Sequence, residues 1–536
     1  MLSADFPIYT HLDALNSLVT KCVHALCFPV NSHFAKATDL SLSSLFDYNL
    51  LKKFNCRVRS KAPTRCLEIL YEKFNKQSVD KSMLDIGSRQ AIIDYVIREH
   101  IQISSNFIIQ LLKDGGMYNL DLWQLCEINE FTLNEVDQIL VQMSMCSTVF
   151  RSLSIGGSSW FYNFCVSSGP LKKLLCKSGS LPNLKSLKLQ AIPLEFEFIS
   201  VLYSCPILER LEISQPSLNN RDIFKMSFYM ATNSLPISRT LRHVTMPSSV
   251  KEEGLLHFLA HFTNITHLRC TPFEQLLDLL DMSSNNLCAS QYLVYRTQSV
   301  LSNLRSISIA HPMSCDMIDR LVKACPKIEG LTLEVQEGMN LMKLVTDTPN
   351  LSKLVLHNSS SMPLNFVEHI VPLLEGCGNQ LVSLSLENFD HIDLTTCAQY
   401  CPNLRSFSAQ WFSTLTLQPR LYRRLYIKSK PFSHLEHLRI RPRPHQSLTA
   451  EICSFLLNDA IQLRHIELYC CSELTDDAII EINQRNPLQW LQTFIVRHGH
   501  NVTNEALCRL VSQASSTDNL VFHDCGLMPP IRKEDT

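Results

Sequence analysis

From about residue 117 the chain repeats one short apolar pattern: an apolar residue, two others, a second apolar residue, one other, and a third. Leu184, Leu187 and Leu189 form one copy, and Leu208, Leu211 and Ile213 the next. Further copies start at Leu241, Ile265, Leu304, Ile328, Leu351, Leu381, Leu404, Leu435, Leu463 and Leu491. Weaker ones start at Met117, Phe150 and Thr517. The shortest intervals, Ile328 to Leu351 and Leu381 to Leu404, are 23 residues, and the longest, Ile265 to Leu304, is 39. The last two apolar positions of each copy alternate with a polar one, which predicts a short strand with one buried face. The copy at Leu463 is the fullest: Ile466 and Leu468 supply the strand, and Cys471 and Leu474 turn the chain back inward. Thr475 and Asp476 then read as a helix start before Ala478, Ile479 and Ile482. The copy at Leu491 does the same with Phe494, Val496, Val502, Thr503, Ala506 and Leu507. Three Cys–Pro pairs, Cys205-Pro206, Cys325-Pro326 and Cys401-Pro402, stand just ahead of predicted strands. Proline cannot continue a helix, so these pairs predict helix-to-strand turns.

Such intervals are those of leucine-rich repeats, and the Cys at position 471 resembles the cysteine-containing class. One unit cannot bury its apolar face alone, so the units must stack. The expectation is an α/β fold, a leucine-rich-repeat solenoid of about fifteen repeats over residues 101–525, with a tail at 526–536. Its parallel strands would line a concave face. The apolar positions are committed to packing, which leaves the residues between them for function.

Residues 1–100 lack the repeat and are expected to be mainly helical. Leu12, Leu15, Leu18, Val19, Cys22, Val23 and Leu26 follow the spacing of one helix face. Within this run, SLVTKCVHAL (17–26) puts Leu18, Cys22 and Leu26 on one stripe that a partner groove could take. At 61–74, KAPTRCLEILYEKF begins with Pro63, well suited to a first helical turn, and places Cys66, Leu67, Leu70 and Phe74 on one side. The first segment resembles an elongin-binding BC box and the second a cullin-2 box. Their order, ahead of REHIQISSNFIIQLL, NLDLWQLCEINEFTLNEVDQIL and the repeats, resembles the N-terminal half of the Zyg-eleven and Zyg-eleven-related (Zer) substrate receptors of cullin-2 ubiquitin ligases. That resemblance implies elongin C contacts at Leu18, Cys22 and Leu26, and cullin contacts at Pro63, Cys66 and Leu70. It also implies a complex with elongin B and cullin-2 that holds a target protein. Ala62 stands where the family carries a larger apolar residue. The resemblance does not include the family's armadillo-like C-terminal half, so its glycine N-degron recognition is not carried over.

Composition narrows the alternatives. Lys plus Arg number 49 and Asp plus Glu 50, which argues against a general nucleic-acid binder or a polybasic membrane anchor. A hydrophobic fraction of 45% supports a large core. The 21 Cys include no CxxC pair, and no Lys or Arg precedes Lys21, so neither a disulfide framework nor a zinc site is expected. The thiols are expected to be free and buried, in a cytoplasmic or nuclear protein without a membrane span. No phosphate loop or nucleophile elbow is present. Gly156-Gly157-Ser158-Ser159-Trp160 ends in Trp where the elbow needs Gly. We therefore expect no catalytic residues, no metal and no cofactor. The functional expectation is a non-catalytic ligase subunit. The alternatives are a Skp-adaptor F-box receptor, although no LP-initiated F-box is visible, and a leucine-rich scaffold or inhibitor.

One charge feature remains. Residues 420–443 carry Arg420, Arg423, Arg424, Lys428, Lys430, Arg439, Arg441 and Arg443, with Glu436 as the only acid. Strand alternation puts His437, Arg439 and Arg441 on the open face, beside His465, Glu467, Tyr469, Thr493, Ile495 and Arg497 of the next two repeats. Arg439, Arg441, His465, Tyr469 and Arg497 are the candidate substrate-binding residues, suited to an acidic or phosphorylated segment. The interruption between Trp411 and His434 is a candidate functional loop.

Overall fold

The computed structural model describes most of residues 86–523. The longest internal segments outside it are 157–167, 191–197, 284–290, 359–364 and 419–429. Leu18, Cys22, Leu26, Pro63, Cys66 and Leu70 all lie outside the described residues, as do Arg420, Arg423, Arg424 and Lys428. Of the region expected to be helical, the described part, Ile86–Arg98, is a helix.

The chain forms two compact units that divide between Leu301 and Ser302. In the first, β1 (Asn119–Asp121), β2 (Ser152–Gly156), β3 (Ser186–Gln190), β4 (Arg210–Ile213), β5 (His243–Thr245) and β6 (His267–Cys270) lie side by side in chain order. All these pairings are parallel. In the second, the strands are β7 (Ser306–Pro312), β8 (Gly330–Val335), β9 (Lys353–Asn358) and β10 (Ser383–Glu387), with a small β11 (His391–Asp393) set aside. They continue with β12 (Ser406–Phe412), another small β13 (Thr414–Thr416), β14 (His437–Pro442), β15 (His465–Tyr469), β16 (Thr493–Arg497) and β17 (Asn519–His523). Nine of these again run parallel in chain order, while β11 and β13 pair with each other as a second sheet. Every copy of the sequence pattern carries a strand, so both units are leucine-rich-repeat stacks.

Registers are in step, which is why the core is continuous within each unit. Leu187 pairs with Leu211, and Leu189 with Ile213. Ile466 pairs with Phe494, and Leu468 with Val496. All of these side chains are buried. Burying one such side chain contributes roughly 1.5–3 kcal/mol, so a stack gains a similar increment at each rung.

The turns follow the residues that predicted them. Thr475 caps the helix Asp476–Arg485 by accepting from the Ala478 N–H. Asp476 in turn accepts from the Thr503 N–H and Oγ1, both at 2.8 Å, and so ties one cap to the next repeat. Each Cys–Pro pair ends a helix in the same way: the carbonyls of Cys205, Cys325 and Cys401 accept from the N–H of Leu208, Ile328 and Leu404. Their thiols are buried, and burial pushes them up to about 12. None of the twelve cysteines whose side chains are described forms a disulfide, and among them only Cys176 and Cys470 are partly exposed. Cys470 and Cys471 split as a face thiol and a core thiol. Among the described residues, no helix is long and apolar enough to cross a membrane.

The side sheet was not legible in the sequence. β11 and β13 are three residues each, too short for a pattern. Their anchor is Asp393, which is buried at the start of the helix Leu394–Tyr400. Its carboxylate accepts from the Thr395 N–H at 3.0 Å and from the Thr396 hydroxyl at 2.6 Å. The Thr395 hydroxyl and the Gln418 amide also donate to it. A buried carboxylate is tolerated there because four donors replace water.

Candidate functional site

On the open side of the second unit, the residues between the core positions line up in three rows across the strands. The row at the ends of the strands runs Glu334, His357, Glu387, Gln410, Arg441, Tyr469, Arg497. Its two ends differ in charge. Glu387 accepts from Gln410 at 3.2 Å and lies 3.5 Å from His357. From β14 onward the row is cationic and aromatic.

The structure brings the five sequence-predicted residues together on β14, β15 and β16. Arg439 forms an ion pair with Glu467 at 3.0 Å, directly across the register. His465 stacks on His437 with centroids 4.5 Å apart and planes within 5°. Tyr469 is flanked by Arg441 at 5.2 Å and Arg497 at 5.5 Å from its ring centre. The middle row is therefore neutralised, while among the described residues the two guanidinium groups of the end row meet aromatic rings and no carboxylate.

Sequence reasoning missed one member of this group. The Arg441 guanidinium lies 4.1 Å from the centre of the Trp411 ring, so it sits between an indole and a phenol. Plain strand alternation would turn Trp411 inward, because Gln410 before it faces out. Instead the register slips between Gln410 and Phe412, and Trp411 is the extra residue, at φ 57°. A bulge of this kind redirects one side chain, and Trp411 is 38% exposed as a result. Asn388, Cys470 and His498 take the same left-handed conformation at the same place in their repeats. Comparing repeats at that position is the signal that would have found Trp411.

Arg443 belongs to the support of this group rather than to its surface. Its Nε donates to the Trp411 carbonyl at 2.9 Å. Its Nη1 donates to Asp390 at 2.6 Å and to the Ser413 hydroxyl at 2.9 Å, and its Nη2 to Asn388 at 3.1 Å. It occupies the position that Cys471 holds one repeat later. Its charge is used to fasten the bulge, a role the count of basic residues did not reveal.

The strands beside β14 are low. Ser383 and Ser385 on β10 and Ser406 and Ser408 on β12 carry only hydroxymethyl groups. They form a shallow floor next to the Arg–Tyr wall. Beneath this face two polar atoms, Ser408 Oγ and Arg497 Nε, are buried without a hydrogen-bond partner. Among the described residues, no cluster of His, Cys, Asp and Glu has the makings of a metal site. The arrangement can hold an anionic side chain by paired N–H donors.

No protein-family model and no curated protein matches this chain. Several solved structures are similar in fold. The crystal structure of the Rad7 and Elc1 complex in yeast has 16% identity, with 58% of this chain covering 66% of that one, at a TM-score of 0.32. The leucine-rich repeat-containing protein LegL7 from Legionella pneumophila has 17% identity, with 52% of this chain covering 86% of that one, at 0.31. A leucine-rich-repeat protein of Leptospira interrogans has 13% identity, with 78% of this chain covering 98% of that one, at 0.30.

Proposed function

We propose that this chain is a non-catalytic substrate-recognition subunit of a ubiquitin ligase of the cullin-2 and elongin type. Its repeats would hold a target protein while the N-terminal region docks the ligase. The observation that carries this reading is the order of two patterns ahead of the repeats. The first is Leu18, Cys22 and Leu26, and the second is Pro63, Cys66 and Leu70, each at the sequence spacing of one helix stripe. Elongin C, with elongin B, would take the first stripe in an apolar groove, and cullin-2 would take the second. Such a subunit needs no cofactor, nucleic acid or membrane, and acts in the cytoplasm or nucleus. Its contribution to catalysis is proximity, since fixing two reactants together removes much of the entropic barrier to their reaction.

The second unit supports the recognition half of this reading. Arg, Tyr and Trp are the residue types that carry most binding energy at protein interfaces, and four of them adjoin on its open face.

The test is affinity purification of the tagged chain, followed by identification of the adaptors that come with it. Elongins B and C and cullin-2 are expected. Leu18→Asp should abolish elongin capture, because a charge would enter an apolar groove, while the far-ultraviolet circular dichroism of the repeats stays the same. Recovery of a Skp-type adaptor instead would move the chain to the F-box class. Recovery of neither would leave a leucine-rich scaffold.

A further inference from the structure

We propose that the end row of β14–β16 is a binding site for an acidic, extended protein segment. Two of that segment's carboxylates, two or three residues apart, would pair with Arg441 and Arg497 on either side of Tyr469. This deepens the recognition half of the function above and rests on it, but not on the adaptor half.

The argument begins with what each cation already has. Arg439 is neutralised by Glu467, and Arg443 by Asp390. Arg441 and Arg497 have ring contacts and no carboxylate partner among the described residues. A ring stacked on a guanidinium uses its flat face. The N–H donors lie in the plane of the group, so they stay available for a bidentate carboxylate. Sandwiching by Trp411 and Tyr469 also removes most of the side-chain freedom that a flexible Arg would lose on binding, which is a preorganised arrangement. Arg497 Nε is itself buried, so the donors that Arg497 offers a ligand are those of its two terminal nitrogens, which form a pair.

Spacing then selects the ligand. Arg441 and Arg497 stand on strands that flank β15, so their backbones are about two strand spacings, or ~9.6 Å, apart. An extended chain advances about 3.3 Å per residue, so acidic residues two or three apart span about 7–10 Å, within reach of two Arg side chains. The segment would lie across the strands, with its backbone over the low serine floor of β10 and β12 and its acidic end over β14–β16.

Charge selects against a long polyanion. Glu387 and Glu334 occupy the same row on β10 and β8. A continuous phosphate backbone would run from two free cations onto these acids. A short protein segment with two carboxylates meets only the cations.

The test is direct binding to the purified full chain, read by fluorescence polarisation. The probe is a labelled peptide, Gly-Ser-Gly-Glu-Ala-Glu-Gly-Ser-Gly, and the comparison is the same peptide with Gln for both Glu. The Glu peptide is expected to bind at least about tenfold more tightly, the ratio of one charge-assisted pairing, and the preference should shrink as salt rises. Arg441→Gln and Arg497→Gln should each lose about tenfold. Arg441→Lys should also weaken binding, because an ammonium neither stacks nor pairs bidentately. Arg485→Gln, the same charge change on a surface helix, should bind like the wild type. Melting curves matching the wild type confirm that each variant is folded. Equal binding of the Glu and Gln peptides would overturn the proposal. So would wild-type affinity in the Arg441→Gln, Arg497→Gln double variant, or capture of a phosphoserine peptide with none of the Glu peptide. Elongin capture by the same preparation, scored separately, reports on the adaptor reading alone.

Discussion

Each unit carries one cation on its open strand face that rests on a tryptophan, and the two have opposite fates. In the first unit the Lys188 ammonium lies 5.1 Å from the centre of the Trp123 ring and 4.0 Å from Glu212, its register partner on β4. In the second, Arg441 lies 4.1 Å from Trp411, and its register neighbour on β15 is Tyr469. The aromatic contact is the same in kind. The third partner decides the outcome: a carboxylate closes the charge of Lys188, whereas a second ring holds Arg441 in place and leaves its charge open. The tryptophans are also seated differently. Trp123 packs over Gly156, where an added Cβ would come within 3.0 Å of the ring and of Gln190. Trp411 depends on a bulge that Arg443 fastens. A closed charge on a glycine seat adds stability to a stack. An open charge on a fastened bulge leaves a donor for something outside the chain.

The sharpest way to break this contrast is to remove the fastening. Arg443→Ala should cost about 2–4 kcal/mol in the second unit, because several hydrogen bonds are lost and Asp390 is left without its ion pair. Urea unfolding would measure the loss, and a red shift in tryptophan emission would report Trp411. A stability equal to the wild type would show that the bulge stands without Arg443.

The next step exchanges the third partners. Tyr469→Glu should give Arg441 the closed environment of Lys188 and weaken the acidic peptide by about tenfold. The fold should change by less than ~1 kcal/mol, as is usual for an exposed ion pair. Glu212→Tyr should do the reverse and raise peptide binding at the first unit. Polarisation titrations on both variants read the two effects, and no change in either would mean that the third partner does not matter.

A smaller effect is expected at the glycine seat. Gly156→Ala should cost about 1 kcal/mol, the low end for overpacking: the Trp123 ring is near the surface and can tilt, and the Gln190 Cβ and carbonyl need give by only a few tenths of an ångström. Thermal melting would detect it, and an unchanged curve would show that the ring moves freely.

The smallest effect concerns pH. In the first unit, Ser227 Oγ lies 2.9 Å from His257 Nδ1 and 2.8 Å from His261 Nε2. Burial lowers both imidazoles below their usual value of 6.5. Glu253 partly offsets this at His257, and the His257 and Arg296 charges add to it at His261. A lowered histidine is neutral in the folded chain and takes a proton more readily once unfolded. Stability is therefore full above about pH 6.5 and falls as the pH drops below it. Protection factors in the helix Glu252–His261, that is exchange rates corrected for the intrinsic slowing of amide exchange in acid, should fall on mild acidification, and the His257→Gln, His261→Gln variant should lose that dependence. Protection factors that do not change with pH in the wild type would refute it.

Much of the framework was legible because it rests on local, repeated physics. The buried positions Leu463, Ile466 and Leu468, the cap at Thr475 and the Cys–Pro turns each depend on residues a few positions apart. What was not legible lies in contacts between repeats. Arg441 and Trp411 are about one repeat apart in the chain, and Arg443 reaches Asp390 and Asn388 across two. Alternation placed Arg439, Arg441, His465, Tyr469 and Arg497 on one face, yet it said nothing of which cation would find an acid.

By itself the sequence determined where the strands lie, which side chains enter the core, and that the repeats must stack, because an isolated repeat leaves its leucines in water. Only the tertiary structure decided which charges remain open. Parallel register sets Glu467 opposite Arg439 and Tyr469 beside Arg441, and one left-handed residue turns Trp411 out of the pleat. Those pairings depend on the ångström-scale alignment of strands from different repeats, and no periodicity along a single chain encodes that alignment.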